Sequence, residues 1–316
     1  MWYLLHPRLT KAQCRRLLAG LAALVLCLGI SLLGGRWQPT LWERLYRAAG
    51  IAPQPPGAFV QDSRAKVHFI DVGQGDAVLL EQGGHFALID AGPQTAEELL
   101  RYLELAGVTR LELLVMTHPD GDHIGGMAAV LDTLPVGQFW LPYFAPEQAA
   151  EETLLYQVLY TAARRDVPTL HPLEQTCFAL GEGTVTLLSD GVSGETGNDT
   201  SLCTRFAVDG TAFLNTGDAE LAGETKLLQH PAQLPATLLK VGHHGSSTST
   251  GEAFLAAVQP RLAVISCGWN NGFGHPAPAV TDRLTRCGAQ SFRTDVQGSV
   301  VAILAQDGTL TMKTEF

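Results

Sequence analysis

The segment Leu113-Leu114-Val115-Met116-Thr117-His118-Pro119-Asp120-Gly121-Asp122-His123 limits the possible folds of this chain more than any other. Its apolar half reads as a buried strand. Its polar half puts two imidazoles and two carboxylates into one tight turn, where side chains converge without distorting regular structure. Gly125-Gly126 just beyond permits close backbone packing. Nitrogen and oxygen donors this dense suit a pair of divalent cations, and a pair of cations suits hydrolysis of phosphate esters.

One turn cannot surround two metals, so other strand ends must contribute. Asn215-Thr216-Gly217-Asp218 ends one apolar run with a carboxylate. Lys240-Val241-Gly242-His243-His244-Gly245-Ser246 ends another with two imidazoles, and Gly274-His275-Pro276 adds a histidine in a loop. Loops on a rigid scaffold are where reactive groups are commonly mounted. A lone Asp or His at a strand end usually caps a turn, but four such segments in one chain argue for a shared metal site.

The chain has 316 residues, 46% of them hydrophobic, enough for a substantial core in one large or two small domains. Charge is unevenly placed. The first 57 residues carry 7 basic and 1 acidic side chains, whereas from Ala58 onward 14 Lys and Arg stand against 30 Asp and Glu. Broad nucleic-acid-coating surfaces are usually basic, so a polyanionic substrate would need a local groove or the metals themselves. The six cysteines form no CxxC pair, which argues against a sulfur-ligated zinc knuckle. Cys177, Cys203, Cys267 and Cys287 lie in apolar surroundings and read as buried free thiols.

Leu17 to Leu33 is an unbroken run of apolar and small residues, within the range of about 17–25 that spans a bilayer. Arg8, Lys11, Arg15 and Arg16 precede it and Arg36, Arg44 and Arg47 follow, a slight bias toward a cytoplasmic N-terminus. Residues 37–47 read as an interfacial amphipathic helix, and Pro53 to Gly57 as a linker. The expected organisation is a membrane anchor and linker over residues 1–57 and a hydrolase domain over 58–316. It corresponds to a single-pass protein of the cell membrane with its acidic domain outside the cytoplasm.

From Lys66 onward, short strands alternate with glycine turns. Val67–Asp71, Asp76–Glu81 and His85–Asp90 predict an antiparallel meander with a hairpin at Gly83-Gly84. Helices are predicted over Ala96–Ala106, from near Ile124 to before Pro135, and over Glu147–Arg165, Ala219–Gln229, Glu252–Val258 and Ala279–Arg286. Strands are predicted over Leu111–Thr117, Thr184–Leu188, Ser201–Val208, Thr211–Asn215, Ala236–Val241 and Leu262–Ser266, with two more at the C-terminus. This order suggests two sheets covered by helices on the outside.

Seven spaced motifs then resemble one family in order: HFIDVGQGD (68–76), LIDAG (88–92), THPDGDHIGG (117–126), NDTSL (198–202), NTGDAE (215–220), LKVGHHGS (239–246) and FGHP (273–276). They are similar to the metallo-β-lactamase superfamily and, within it, to the hydrolase domain of the ComEC competence proteins. The resemblance covers about Lys66 to the C-terminus. It implies a four-layer αββα sandwich, here preceded by one transmembrane helix, with the site at one edge of the two sheets. Complete ComEC proteins also carry a multi-span channel domain, which these motifs do not include, so a role in DNA transport is not carried over. The superfamily motif is His-x-His-x-Asp-His, and Asp120 stands at its second histidine.

The resemblance implies that His118 and Asp120 help hold one metal, Asp122 and His123 the other, and that Asp218 bridges both. One of the pair His243 and His244 would close the first site, with His243 preferred. A water between two cations would be acidified to near neutral pH. Asp122, His244 and His275 are the expected catalytic residues. Asn198, Ser201, His244 and His275 are the expected substrate contacts, and Asp90 is expected to orient a ligand histidine. Asp71, Gln74 and Asp76 read mainly as supports near the site. The added charge of Asp120 should favour manganese relative to zinc. The expected function is a phosphodiesterase with two divalent ions, Mn or Zn, acting as a nuclease on DNA. The alternatives are a hydrolase of a cell-wall, lipid or small-molecule phosphodiester, and a non-catalytic receptor or assembly module.

Overall fold

Alternation of side chains along the strands decides how this chain folds into layers. Val78 and Leu80 point into one core and Leu79 into another, and Leu113 and Val115 likewise part from Leu114, because successive strand residues face opposite sides. A strand apolar on both faces must be covered on both. The computed structural model describes residues 63–94, 96–144, 153–191 and 197–315, all within the unit Gln54–Phe316.

Among the described residues, the first sheet contains β1 (Ser63–Phe69), β2 (Val78–Gln82), β3 (His85–Ile89), β4 (Leu111–Val115), β5 (Val136–Trp140), β6 (Thr169–Leu170), β14 (Val300–Ala305) and β15 (Leu310–Thr314), ordered β15-β14-β1-β2-β3-β4-β5-β6. The second contains β7 (Cys177–Leu180), β8 (Gly183–Asp190), β9 (Leu202–Val208), β10 (Thr211–Asn215), β11 (Leu238–Lys240), β12 (Leu262–Ile265) and β13 (Gln290–Arg293), ordered β13-β12-β11-β10-β9-β8-β7. The predicted meander β1-β2-β3 is antiparallel. Strands β3 to β6 run parallel, as do β10 to β13.

Phe69, Trp140, Phe206 and Phe213 fill the core between the sheets, with Phe69 edge-on to Phe213 at 5.4 Å. Helices α1 (Ala96–Leu105), α2 (Gly121–Ile124), α3 (Met127–Thr133) and α4 (Thr153–Arg164) bury Leu99, Ile124, Met127 and Val158 on the outer face of the first sheet. Helices α5 (Leu221–Leu227), α6 (Glu252–Val258) and α7 (Pro278–Arg286) bury Leu227, Phe254 and Leu284 against the second. A one-turn helix α8 (Thr294–Gln297) leads into β14. The layer order is helix, sheet, sheet, helix.

Some expectations change. The single helix expected from Ile124 is two, α2 and α3, parted at Gly125-Gly126. A Cβ on Gly125 would lie 2.4 Å from the Pro93 and Gln94 backbone, and one on Gly126 2.4 Å from the Ala91 carbonyl. Close approach of the chain therefore sets the break. Strands β5, β6, β7 and β13 are short and partly exposed, without the alternation that announces a strand. Cys203 and Cys267 are buried as expected, but Cys177 and Cys287 are exposed; all four are free thiols. The expected anchor (17–33), interfacial helix (37–47) and linker lie outside the described residues. Among the described residues, no helix is long and apolar enough to cross a membrane.

Candidate metal centre

The loops that leave β1, β4, β10, β11 and β12 at their carboxyl ends carry Asp76, His118 to His123, Asp218, His243-His244 and His275 respectively. Parallel pairing of β10, β11 and β12 sets three of these loops side by side. The Asp76 loop is drawn onto the β4 loop by close backbone contact. Asp76 N donates to the Asp122 carbonyl at 3.1 Å, and Gly75 has φ +144° where a Cβ would sit 2.3 Å from that carbonyl oxygen. Only glycine meets both conditions.

Four donor atoms meet at the centre. His123 Nε2 and His244 Nε2 lie 3.3 Å apart. Asp218 Oδ2 is 3.4 Å from the first and 3.2 Å from the second, and Asp122 Oδ2 is 3.3 Å from His244 Nε2. Ligands about 2.0–2.1 Å from a tetrahedral cation stand about 3.3 Å from one another. Asp76, His123, Asp218 and His244, all buried, also offer ligand atoms within 4.8 Å of one another.

The back side of each ring is already committed. His123 Nδ1 donates to Asp90 Oδ2 at 2.8 Å, and His244 Nδ1 donates to the Ser266 carbonyl at 2.9 Å. Asp90 also accepts from Thr117, at 2.8 Å from the amide and 2.7 Å from the hydroxyl. Thr117 Oγ1 in turn lies 3.1 Å from His118 Nδ1. Each Nε2 is thereby left with its lone pair toward the centre, an arrangement that fixes a metal-binding tautomer. His118 Nε2, Asp76 Oδ1 and Asp218 Oδ1 are buried without a hydrogen-bond partner. Such orphans cost free energy unless a ligand satisfies them, and they match a divalent cation.

A second, looser group adjoins the first. The His118 ring centroid is 4.1 Å from that of His123, and its Nε2 is 3.7 Å from Asp120 Oδ2, on a half-exposed side chain. Asp218 faces the first group through Oδ2, while its Oδ1 lies 3.8 Å from the Lys240 ammonium.

His243 and His244 both adopt left-handed backbone, φ +47° and +53°. Bonds from Ser246 N to the His243 carbonyl and from His243 N to the Gly217 carbonyl hold them there, as strained functional positions require. The two rings consequently diverge. His244 enters the buried cluster. His243 is partly exposed, its Nε2 3.7 Å from Asp218 Oδ2 and its Nδ1 3.1 Å from Glu220 Oε1. The geometry thus groups His244 with Asp122 and His123, whereas the sequence favoured His243 for the other metal. His275 stands at the rim, its ring 5.5 Å from His243 and 6.4 Å from His244.

Ser201 is buried and its hydroxyl accepts from the Asp218 amide at 3.2 Å, so it shapes the Asp218 turn from beneath instead of facing a substrate. Asn198 donates to Glu220 Oε1 at 3.2 Å, and Asp199 Oδ1 accepts from the Glu220 and Gly223 amides at 2.9 Å. That segment therefore caps the entry to α5, with Asn198 beside His243. Asp76, read from sequence as a support, is inside the cluster; its position right after a strand and a Gly-Gln-Gly turn was the available signal. Lys240 and Glu220 were passed over, and no sequence spacing marks them.

The electrostatics suit a cation. Burial opposes charging of His244, yet the Asp218 and Asp76 carboxylates raise it to about 10. Burial likewise opposes charging of His123, which Asp218 and Asp90 hold well above its ordinary value. Asp122 stays ionised down to about 2: burial works against it, but a bond from His244 and the charge of His123 prevail. Burial, then His243 and His244, push His275 down. The potential that keeps protons on the inner imidazoles is one that also draws in metal, and proton and metal compete for the same Nε2 atoms.

Two sheets enclosed by helices, with a His/Asp cluster at the strand ends, define a metallo-hydrolase fold, and the chain belongs to the metallo-β-lactamase superfamily, whose model matches residues 70–269. Its similar relatives are ComEC-like competence proteins. It is 33% identical over 274 residues to competence protein ComA of Neisseria gonorrhoeae, covering 84% of this chain and 36% of that protein. It is 30% identical over 260 residues to ComE operon protein 3 of Bacillus subtilis, covering 75% and 33%. The chain thus spans about a third of the length of the curated relatives it matches. Among solved structures, the diiron β-hydroxylase CmlA of Streptomyces venezuelae superposes with a TM-score of 0.52 at 13% identity, over 77% of this chain and 54% of that one, a likeness of fold alone.

Proposed function

We propose that this protein is a phosphodiesterase that uses two divalent cations and acts as a nuclease on DNA outside the cytoplasm, tethered by the apolar segment 17–33. The observation that carries the reading is the convergence of His123, His244, Asp218 and Asp122 at ligand spacing, with each inner imidazole fixed from behind. A purely structural role does not call for orphaned donors of this kind. Asp122, His123, His244 and Asp218, with Asp76 beside them, would hold the tighter cation. His118 and Asp120 would help hold the other.

When bound, the two cations supply Lewis acidity, which acidifies water and offsets charge on phosphoryl oxygens. The chain's own groups do the rest. Asp90 and the Ser266 carbonyl keep the His123 and His244 rings from turning. Asp122 and Asp218 remain ionised, so they can bind and orient. His243 and His275 line the open rim, within reach of a phosphodiester and its leaving group, and Glu220 holds His243 in that pose.

The test uses the full chain in detergent, stripped with chelator and reloaded with manganese or zinc. Single-stranded DNA, double-stranded DNA and bis(p-nitrophenyl) phosphate are then assayed side by side. Cleavage of DNA with manganese at least as effective as zinc is the expected result, because Asp120 replaces an imidazole with a harder, charged oxygen donor. Hydrolysis of the small ester alone would move the reading to a cell-wall, lipid or small-molecule phosphodiester, which an acidic surface would admit more readily. No hydrolysis at all with metal bound would favour an assembly module.

A further inference from the structure

Beside the metal centre, the loop from Ser266 to Ala277 presents flat rings to solvent. Phe273 is 70% exposed and Trp269 54%. An isolated exposed apolar residue calls for no explanation, but Phe273 is not isolated. Its ring lies 5.7 Å from His275 at an interplanar angle of 25°, and His275 lies 6.4 Å from His244, again at 25°. A row of near-parallel planes therefore runs from open solvent to a histidine of the inner cluster.

The loop is built to hold this pose. Asn271 Nδ2 donates to the Gly268 carbonyl at 2.9 Å and to the His275 carbonyl at 2.6 Å, while its Oδ1 accepts from His275 N at 3.0 Å. Gly268 N donates to Gln74 Oε1 at 3.1 Å, which pins the base of the loop to the first motif. A preorganised ring loses little freedom on binding. No Lys, Arg, Asp or Glu occurs from Ser266 to Val280. The loop itself therefore offers a ligand ring faces and no Lys, Arg, Asp or Glu side chain.

We propose that Phe273 forms an aromatic shelf that stacks an unpaired nucleobase next to the phosphodiester being cleaved. The inference rests on the phosphodiesterase reading and narrows its substrate to strands whose bases are free of a partner. Every base offers a π-face, so stacking is tolerant of sequence, and it is worth about 1–3 kcal/mol per base, or roughly 5- to 150-fold in affinity. Bases locked in a duplex cannot reach the shelf.

The test measures binding and turnover separately. Anisotropy of a labelled oligothymidylate, of the same-length abasic oligomer and of a blunt hairpin is followed on the full chain in detergent. The unsubstituted protein should prefer the oligothymidylate over both. Phe273→Ala should weaken that binding by about tenfold, and Phe273→Trp should restore it. In turnover, KM for the single strand should rise in Phe273→Ala more than kcat falls. Equal affinity for abasic and base-bearing strands, or an unchanged affinity in Phe273→Ala, would overturn the shelf even if DNA is cleaved. Loss of binding to anionic vesicles in Phe273→Ala, with oligonucleotide affinity intact, would overturn it too and assign the rings to a membrane surface. Failure of the phosphodiesterase reading shows differently, as absent cleavage with oligothymidylate still bound.

Discussion

The Lys240 ammonium lies 2.5 Å from Asp76 Oδ2 and 3.8 Å from Asp218 Oδ1, with both ends of the pair fully buried. It also donates to the Val241 carbonyl at 3.1 Å and the Gly217 carbonyl at 3.3 Å. A centre that gathers Asp76, Asp90, Asp122 and Asp218 concentrates negative charge, and Lys240 is a resident cation against it. Removing one member of a buried pair leaves the other charge uncompensated, at a cost of about 3–5 kcal/mol. Lys240→Met should therefore lower the melting temperature of the chelator-treated protein. The loss should shrink when manganese is added, since bound cations offset the same carboxylates. An equal loss with and without metal would mean that Lys240 serves packing alone.

The two adjacent histidines should separate cleanly in metal content. His244→Ala removes an imidazole that touches Asp122, Asp218 and His123 at once, so bound metal measured by plasma mass spectrometry should fall by about one ion per chain. His243→Ala removes a rim group tied to Glu220, so metal content should hold while turnover drops. The reverse pattern would restore His243 to the cluster and exchange the two roles.

Much of this was legible in the sequence because the strands announce themselves. Leu111 to Thr117 and Thr211 to Asn215 are largely apolar runs that end in polar turns, and those turns carry His123 and Asp218 to within 3.4 Å of each other. The extent of helix Glu252–Val258 was read to the residue. What escaped depends on the third dimension. Strands β6 and β7 are edge pieces whose exposed side chains leave no periodic trace. Lys240 read as part of the apolar strand Ala236–Val241, and the approach of the Asp76 loop gives its charge its nearest partner. The choice between His243 and His244 turns on two consecutive left-handed residues, and spacing in a sequence does not encode which of two neighbouring rings swings inward.

Asp90 is the hub behind the cluster, accepting from the Thr117 amide, the Thr117 hydroxyl and His123 Nδ1. Its own φ of +58° is one that asparagine tolerates, so Asp90→Asn keeps shape while weakening the acceptor opposite His123. Loss of such a partner typically costs 10- to 100-fold in metal affinity. Titration calorimetry on the chelator-treated protein should show a drop of about that size for the tighter ion, with melting temperature little changed. An unaltered affinity would make Asp90 a scaffold residue only.

Glu224 gives a prediction about pH away from the metals. It is buried on α5, and its carboxylate accepts from the Thr250 and Gly251 amides, which tie the segment after the histidine pair to that helix. Burial raises it from 4.5 to about 7, with the two amide bonds working in the opposite direction. The folded state thus holds a proton between about 4.5 and 7 that the unfolded chain has released. By linkage, the stability from this group is complete below 4.5 and is lost as pH rises through about 7. At 1.36 kcal/mol per unit, the swing is about 3 kcal/mol at most. Other carboxylates, Asp122 among them, are depressed and slope the other way, so the measurement is a difference. Denaturant unfolding of the parent and of Glu224→Gln, from pH 4.5 to 8, should give curves that close on each other or cross as pH rises, the parent losing ground. Parallel curves over that range would show that Glu224 ionises at its ordinary value.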